Sequence, residues 1–152
     1  MAIKKTKICL ISSSGGHYEQ LRKLSSLENE YDLIWITEKT DYESDADYYL
    51  IQTGGKDKLF PVKMIWNSIK SLFVYFKEKP DIIITTGAMV VIPMSLIGKA
   101  FGKKVIFIET FARIYDGTRT GQLMYKYADL FIIQWEELKK IYPDAVYGGS
   151  IY

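Results

Sequence analysis

A near-continuous apolar run, Lys7 to Ser12, passes without a break into the small-residue loop Ser12 to Gly16 and then into an amphipathic segment opening at His17. A strand that is apolar at successive positions has no wet side. It must be buried on both faces, which points to a parallel sheet with helices above and below. The rest of the chain keeps that rhythm. Strands are expected at Tyr31 to Thr37, Tyr48 to Gln52, Asp81 to Thr85, Lys104 to Glu109 and Leu130 to Gln134. Helices are expected at His17 to Leu27, where Leu21, Leu24 and Leu27 form a stripe, and at Val62 to Phe76, Pro93 to Phe101, Gly121 to Tyr127 and Trp135 to Ile141. The long helix should stop near Lys79-Pro80, because a proline disfavours helix in the residue before it. Glu38 to Asp47, polar and acidic, reads as a surface loop. The expected fold is α/β, a Rossmann-like, doubly wound and mostly parallel sheet forming a single domain over residues 1–152.

With 152 residues, 48% hydrophobic and 25% charged, the chain can bury one core and is too short for two ordinary ones. Its net charge of +2 carries no polyelectrolyte signature, so no nucleic-acid partner is expected. The single cysteine, Cys9, lies within Ile8-Cys9-Leu10-Ile11 and reads as a small buried hydrophobe. No disulfide framework follows, which suits a reducing compartment. The basic residues Met1 to Lys7 precede an apolar stretch too short for a signal peptide. The uncharged stretch Ile82 to Gly98 is interrupted by Thr85-Thr86-Gly87 and Pro93, so it reads as strand, loop and helix rather than a membrane span.

Chemistry concentrates in the loops that follow strands. In Ser12-Ser13-Ser14-Gly15-Gly16-His17 the glycines let a ligand approach the backbone, and free N–H groups at the helix start favour an anion. The loop matches neither G-x-G-x-x-G nor a Walker sequence, which disfavours a dehydrogenase or an NTPase. A tight turn without a ligand is the alternative. His17 is the only histidine, and at that helix start it could take a proton from a sugar hydroxyl or merely cap the loop. The second loop, Thr85 to Pro93 with Gly87 at its turn, and the strand-end Glu109 would face the same crevice. A solvated or hydrogen-bonded glutamate is the plainer alternative for Glu109. On the long helix, apolar residues at 65, 69, 72, 73 and 76 form one stripe that a core can bury. Trp66 and Tyr75, with Lys63, Lys70, Lys77 and Lys79, would then flank it and could meet a membrane surface. No metal-ligand cluster is visible.

The segments SSSGGHYEQL, IETFAR and YKYADLFIIQWEELKKIYPDAVYGG carry a family likeness. They resemble the bacterial PssD-type polysaccharide proteins and the membrane-side subunit of the two-part N-acetylglucosaminyltransferase of dolichol-linked glycan assembly. The likeness spans nearly the whole chain. A more distant one is to the N-terminal half of the peptidoglycan N-acetylglucosaminyltransferase, although only Gly87 remains here of that relative's second glycine cluster. The resemblance implies the N-terminal, acceptor half of a GT-B glycosyltransferase. Ser14, Gly15 and Gly16 would lie near the donor diphosphate, His17 would be the base, and Gly87 and Glu109 would border the acceptor crevice.

The implied activity is inverting transfer from a UDP-sugar to a polyprenyl-diphosphate-linked saccharide, in capsular or exopolysaccharide synthesis. The UDP-sugar is a substrate, no cofactor is implied, and a second Rossmann-like subunit would bind the donor. The eukaryotic subunit has an amino-terminal span that is not seen here, so peripheral attachment to the inner face of the cell membrane is expected. The partner is expected to contact Tyr142 to Tyr152, where a single-chain relative would continue into its second half. A non-catalytic scaffold that recruits and activates the partner, and a small nucleotide-binding regulator, are the competing readings.

Overall fold

The computed structural model describes residues 5–42 and 44–152; residues 1–4 of the basic amino terminus and Glu43 of the acidic segment lie outside the described residues. The strands are β1 (Lys7–Ile11), β2 (Asp32–Lys39), β3 (Tyr48–Ile51), β4 (Ile82–Thr85), β5 (Lys104–Ile108), β6 (Leu130–Ile133) and β7 (Val146–Tyr147). The helices are α1 (Gly16–Arg22), α2 (Phe60–Glu78), α3 (Ile92–Ala100) and α4 (Arg119–Met124). The strands form one sheet in the order β3-β2-β1-β4-β5-β6-β7, and each neighbouring pair is parallel. The neighbour order reverses between β1 and β4, as in doubly wound α/β folds.

Strand alternation divides the core into two layers. In β2, Ile34 and Ile36 pack with Cys9, Ile11, Ile83, Val74 and Tyr75. Trp35 faces the other way and joins Ile8, Leu10, Tyr18 and Leu21 beneath α1. Helix α1 is shorter than the leucine stripe predicts: it ends at Arg22, and Ser25–Asn29 forms a 3-10 turn instead. The adjacent serines Ser25 and Ser26 are weak helix formers whose hydroxyls compete for backbone hydrogen bonds. Leu24 and Leu27 still pack on the α1 layer. The expected last helix is likewise a 3-10 turn, Glu136–Lys140, and the short edge strand β7 was not anticipated.

Helix α2 is rotated relative to the sequence expectation. The stripe expected to be buried, Ile65, Ile69, Leu72, Phe73 and Phe76, lies outside, with Phe73 63% exposed. The buried face is Asn67, Ser71, Val74 and Tyr75. Asn67 explains the choice. Its Nδ2 donates to the Ile51 carbonyl at 2.9 Å and its Oδ1 accepts from the Ile51 N–H at 2.8 Å, so one side chain satisfies both backbone groups at the end of β3. Turned outward, the Asn67 amide would leave both of these partly buried backbone groups without their partner. Tyr75 is therefore not a membrane contact: it is 4% exposed and stacks on Phe101 with ring centroids 5.2 Å apart. Trp66, 59% exposed, does lie on the outer face. No helix among the described residues is long and apolar enough to cross a membrane.

Asn67→Ala should lower stability by about 1–3 kcal/mol, because it strands the Ile51 N–H and C=O. Urea denaturation followed by circular dichroism measures this. A change below about 0.5 kcal/mol would mean that Asn67 does not set the rotation of α2.

Candidate functional site

The sheet order reverses between β1 and β4, and in doubly wound folds ligands bind at the carboxyl edge at such a point. Here the loops after β1 and β4 are laced together. The Ser13 N–H donates to the Gly87 carbonyl at 2.7 Å, and the Ala88 N–H donates to Ser13 Oγ at 3.2 Å. His17 and Thr86 bond reciprocally: Thr86 Oγ1 donates to the His17 carbonyl at 2.7 Å, and His17 Nδ1 meets the Thr86 carbonyl at 2.7 Å. A carbonyl only accepts, so Nδ1 carries a proton and donates. Gly87 makes room for this ring. Its φ is +101°, and a Cβ there would stand 3.3 Å from His17 Cε1. The structure thus joins the two sequence-predicted loops and holds the His17 ring against the second of them through Nδ1.

Ser14 does not present itself to a ligand. Its N–H and its Oγ both donate to Glu38 Oε2 at 3.1 Å, while the N–H and Oγ1 of Thr53 donate to Oε1 at 2.9 Å. Glu38, expected in a surface loop, is thus a buried anchor that binds the first loop to the segment after β3. The sequence held a signal for it, since Ile34, Ile36 and Glu38 are in phase along β2. Gly15 and Gly16 remain on the surface, with nothing within 4 Å of where a Cβ would stand.

Glu109 is also turned inward. It is 0% exposed, and its carboxylate accepts from the Thr110 N–H at 3.0 Å, Thr118 Oγ1 at 2.9 Å, the Thr118 N–H at 3.2 Å and Tyr142 Oη at 3.0 Å. It borders no open crevice; it anchors the loop between β5 and α4, where Thr118 caps the helix by accepting from the Gly121 N–H. A Cβ on Gly121 would fall 1.9 Å from Glu109 Oε2. Burial raises the Tyr142 phenol well above the ordinary tyrosine range, and the Glu109 charge raises it further, so the hydroxyl stays a donor.

Sequence reasoning also missed the buried pair Gln20 and Gln134. Gln134 Nε2 donates to Gln20 Oε1 and to the Glu109 carbonyl, each at 2.9 Å, and the Ile151 N–H donates to Gln134 Oε1 at 2.9 Å. Gln20 in turn holds Thr110 Oγ1 and the Phe111 N–H, both at 3.2 Å. Helix α1, the loop after β5 and the carboxyl-terminal segment are therefore one network. Within Tyr142 to Tyr152, expected as a partner surface, Tyr142 is core, while Val146, Tyr147 and Tyr152 are exposed. Among the described residues no group of three or more His, Cys, Asp or Glu side chains could hold a metal ion.

The fold matches solved structures at low sequence identity. MurG of Acinetobacter baumannii superposes with a TM-score of 0.70 at 14% identity, over 87% of this chain and 42% of that one. UDP-GlcNAc 2-epimerase of Neisseria meningitidis, bound to UDP-GlcNAc, gives 0.72 at 15% identity, over 96% of this chain and 47% of that one. The chain thus spans less than half the length of these structures. Curated relatives are matched along most of their length. The human UDP-N-acetylglucosamine transferase subunit ALG14 is 28% identical over 177 residues, covering 95% of this chain and 82% of the relative. The Candida albicans subunit of the same name is 26% identical over 174 residues, covering 98% and 80%. The family model of the oligosaccharide biosynthesis protein Alg14 like matches residues 52–151, from the end of β3 through the buried Glu109 anchor to the carboxyl-terminal segment, and the chain belongs to that family.

Proposed function

We propose that this chain is the acceptor-side subunit of a two-part inverting glycosyltransferase that moves a sugar from a UDP-sugar to a polyprenyl-diphosphate-linked saccharide, working in capsular or exopolysaccharide synthesis. The observation that carries the reading is His17 at the switch point, with Nδ1 committed to the Thr86 carbonyl and Nε2 without a hydrogen bond among the described residues. In this reading Nε2 removes the proton from the acceptor hydroxyl as its oxygen attacks the anomeric carbon, and UDP leaves from the opposite face. The surface N–H groups around Gly15 and Gly16 face the leaving diphosphate; Ser14, tied to Glu38, does not.

The names of the relatives support a UDP-N-acetylglucosamine donor and a partner polypeptide, since each is called a transferase subunit. A second half has to bring the donor against His17, because proximity supplies much of the rate. Exposed Tyr147 and Tyr152 offer it a contact. Attachment to the inner membrane face is supported by the outer face of α2, where Ile65, Trp66, Ile69 and Phe73 are flanked by Lys63 and Lys70. Such a helix binds through buried apolar area and attraction to anionic lipid. Glu38 and Glu109 are both consumed by internal hydrogen bonds, and this favours His17 alone as the base or, failing that, a scaffold that recruits an active partner.

His17→Ala should leave partner binding intact and slow sugar transfer by about 100-fold or more. Radiolabelled transfer by the paired subunits on membranes measures it, and wild-type turnover in the variant would leave the scaffold reading. Trp66→Ser combined with Phe73→Ser should release the protein from anionic liposomes in flotation without lowering its melting temperature, because both side chains already face outward. If the wild-type complex does not float, the membrane role is wrong.

A further inference from the structure

Apart from its bonds to Thr86, His17 takes its place from helix α1, and α1 is fastened by two buried glutamines that the proposed transfer does not use. Gln20 stands three residues after His17, almost one turn along the helix and on a neighbouring face. Gln134 follows β6, and its Nε2 donates to Gln20 Oε1 at 2.9 Å. The Phe111 N–H also donates to Gln20 Oε1, and Gln20 Nε2 donates to Thr110 Oγ1, so α1 is tied to the loop after β5. Gln134 Nε2 reaches the Glu109 carbonyl at the start of that loop, and Gln134 Oε1 accepts from the Ile151 N–H. Backbone N–H groups only donate and carbonyls only accept, so each amide has one orientation that satisfies its partners.

An apolar pair would fill the same space, whereas a buried polar network with every member bonded fixes one arrangement of the elements it joins. This network also reaches the carboxyl-terminal segment. Ile151 packs on the layer beneath α1, the Tyr152 ring meets Phe111 edge-on with centroids 5.4 Å apart, and Lys23, which follows α1, places Nζ 5.5 Å from the centre of the Tyr152 ring. From Ile151 through Gln134 to Gln20 the hydrogen bonds are continuous, and they end almost one turn from His17. Exposed Tyr152, next to Ile151, is one of the contacts offered to a second subunit. A general base has to lie within about 2.6–3.2 Å of the proton it takes, and a displacement of about 1 Å can cost about 100-fold in rate.

We propose that Gln20 and Gln134 are positioning residues for His17, and that they make its placement depend on how Ile151 and Tyr152 are seated. The consequence for catalysis rests on the glycosyltransferase reading above; the placement of the ring does not. His17 is the only histidine, so NMR of the purified chain shows one imidazole signal, which reports the placement without any transfer reaction. Gln20→Met and Gln134→Met keep the side-chain length and remove the amide, and each should shift or broaden that signal. Ile151→Pro removes the N–H that Gln134 Oε1 accepts and should move the signal in the same direction by less. Asp129→Ala breaks the bond to the Val105 N–H and the ion pair with Lys99 at the amino edge of the sheet, so it should lower the melting temperature and leave the His17 signal in place. If one glutamine variant does not fold, the other carries the test. An unchanged signal in the folded glutamine variants, or an equal shift in Asp129→Ala, would overturn the positioning role; an unchanged signal in Ile151→Pro would overturn the dependence on the tail. In a transferring complex, Gln134→Met should lower kcat by about 10- to 100-fold and leave KM for both substrates unchanged. A change confined to KM would overturn the catalytic consequence, whereas a wild-type complex inactive with every UDP-sugar would remove the glycosyltransferase reading and leave the NMR result to decide the placement.

Discussion

A carboxylate withdrawn from water must have its oxygens hydrogen-bonded, and the working edge of this sheet depends on that requirement being met twice. Glu38 draws in Ser14 from the loop after β1 and Thr53 from the segment after β3. Glu109 draws in Thr118 at the cap of α4 and Tyr142 from near the carboxyl terminus. Both sit at or just past the end of a strand, where the apolar core gives way to loops, and each fixes loops that sequence proximity alone would leave free. The His17 and Thr86 bonds close the remaining gap, at the switch point between these anchors.

The same demand for pairing decides what the opposite side of the molecule exposes. Asn67 turns α2 so that the backbone at Ile51 is satisfied, and the apolar stripe of that helix faces out as a result. Each large apolar side chain left outside forgoes up to about 2 kcal/mol of burial. Ile65, Trp66, Ile69 and Phe73 make up this exposed apolar face, and the proposed membrane attachment rests on it.

Strand positions were legible in the sequence because continuous apolar runs bounded by Gly, Pro and Ser admit few alternatives, and all six expected strands lie within a residue or two of the observed ones. The meeting of His17 with Gly87 was legible too, since switch-point geometry follows once the strands are placed. The rotation of α2 was not. Periodicity identifies an apolar stripe but cannot say whether the core or the outside receives it, and Asn67 settles that through a contact with the distant backbone of β3. Glu38 was misread, Ser14 is turned to Glu38, and for Glu109 the hydrogen-bonded alternative is the one that holds, for a related reason: a polar residue near a strand end looks the same in sequence whether its partner is water, ligand or another loop.

Gly121 lies so close to Glu109 that the two positions form one steric unit, with 1.9 Å between a virtual Cβ and Oε2. Neither can drift independently. A side chain can appear at 121 only where the acid at 109 has first been shortened or lost, and a shortened acid would in turn abandon Thr118 and Tyr142. Over long divergence such a pair is expected to change rarely and together, so that a homologue's residue at one position forecasts its residue at the other. The loop they hold between β5 and α4 can then vary at its tip, around the exposed Tyr115, while its two ends stay fixed.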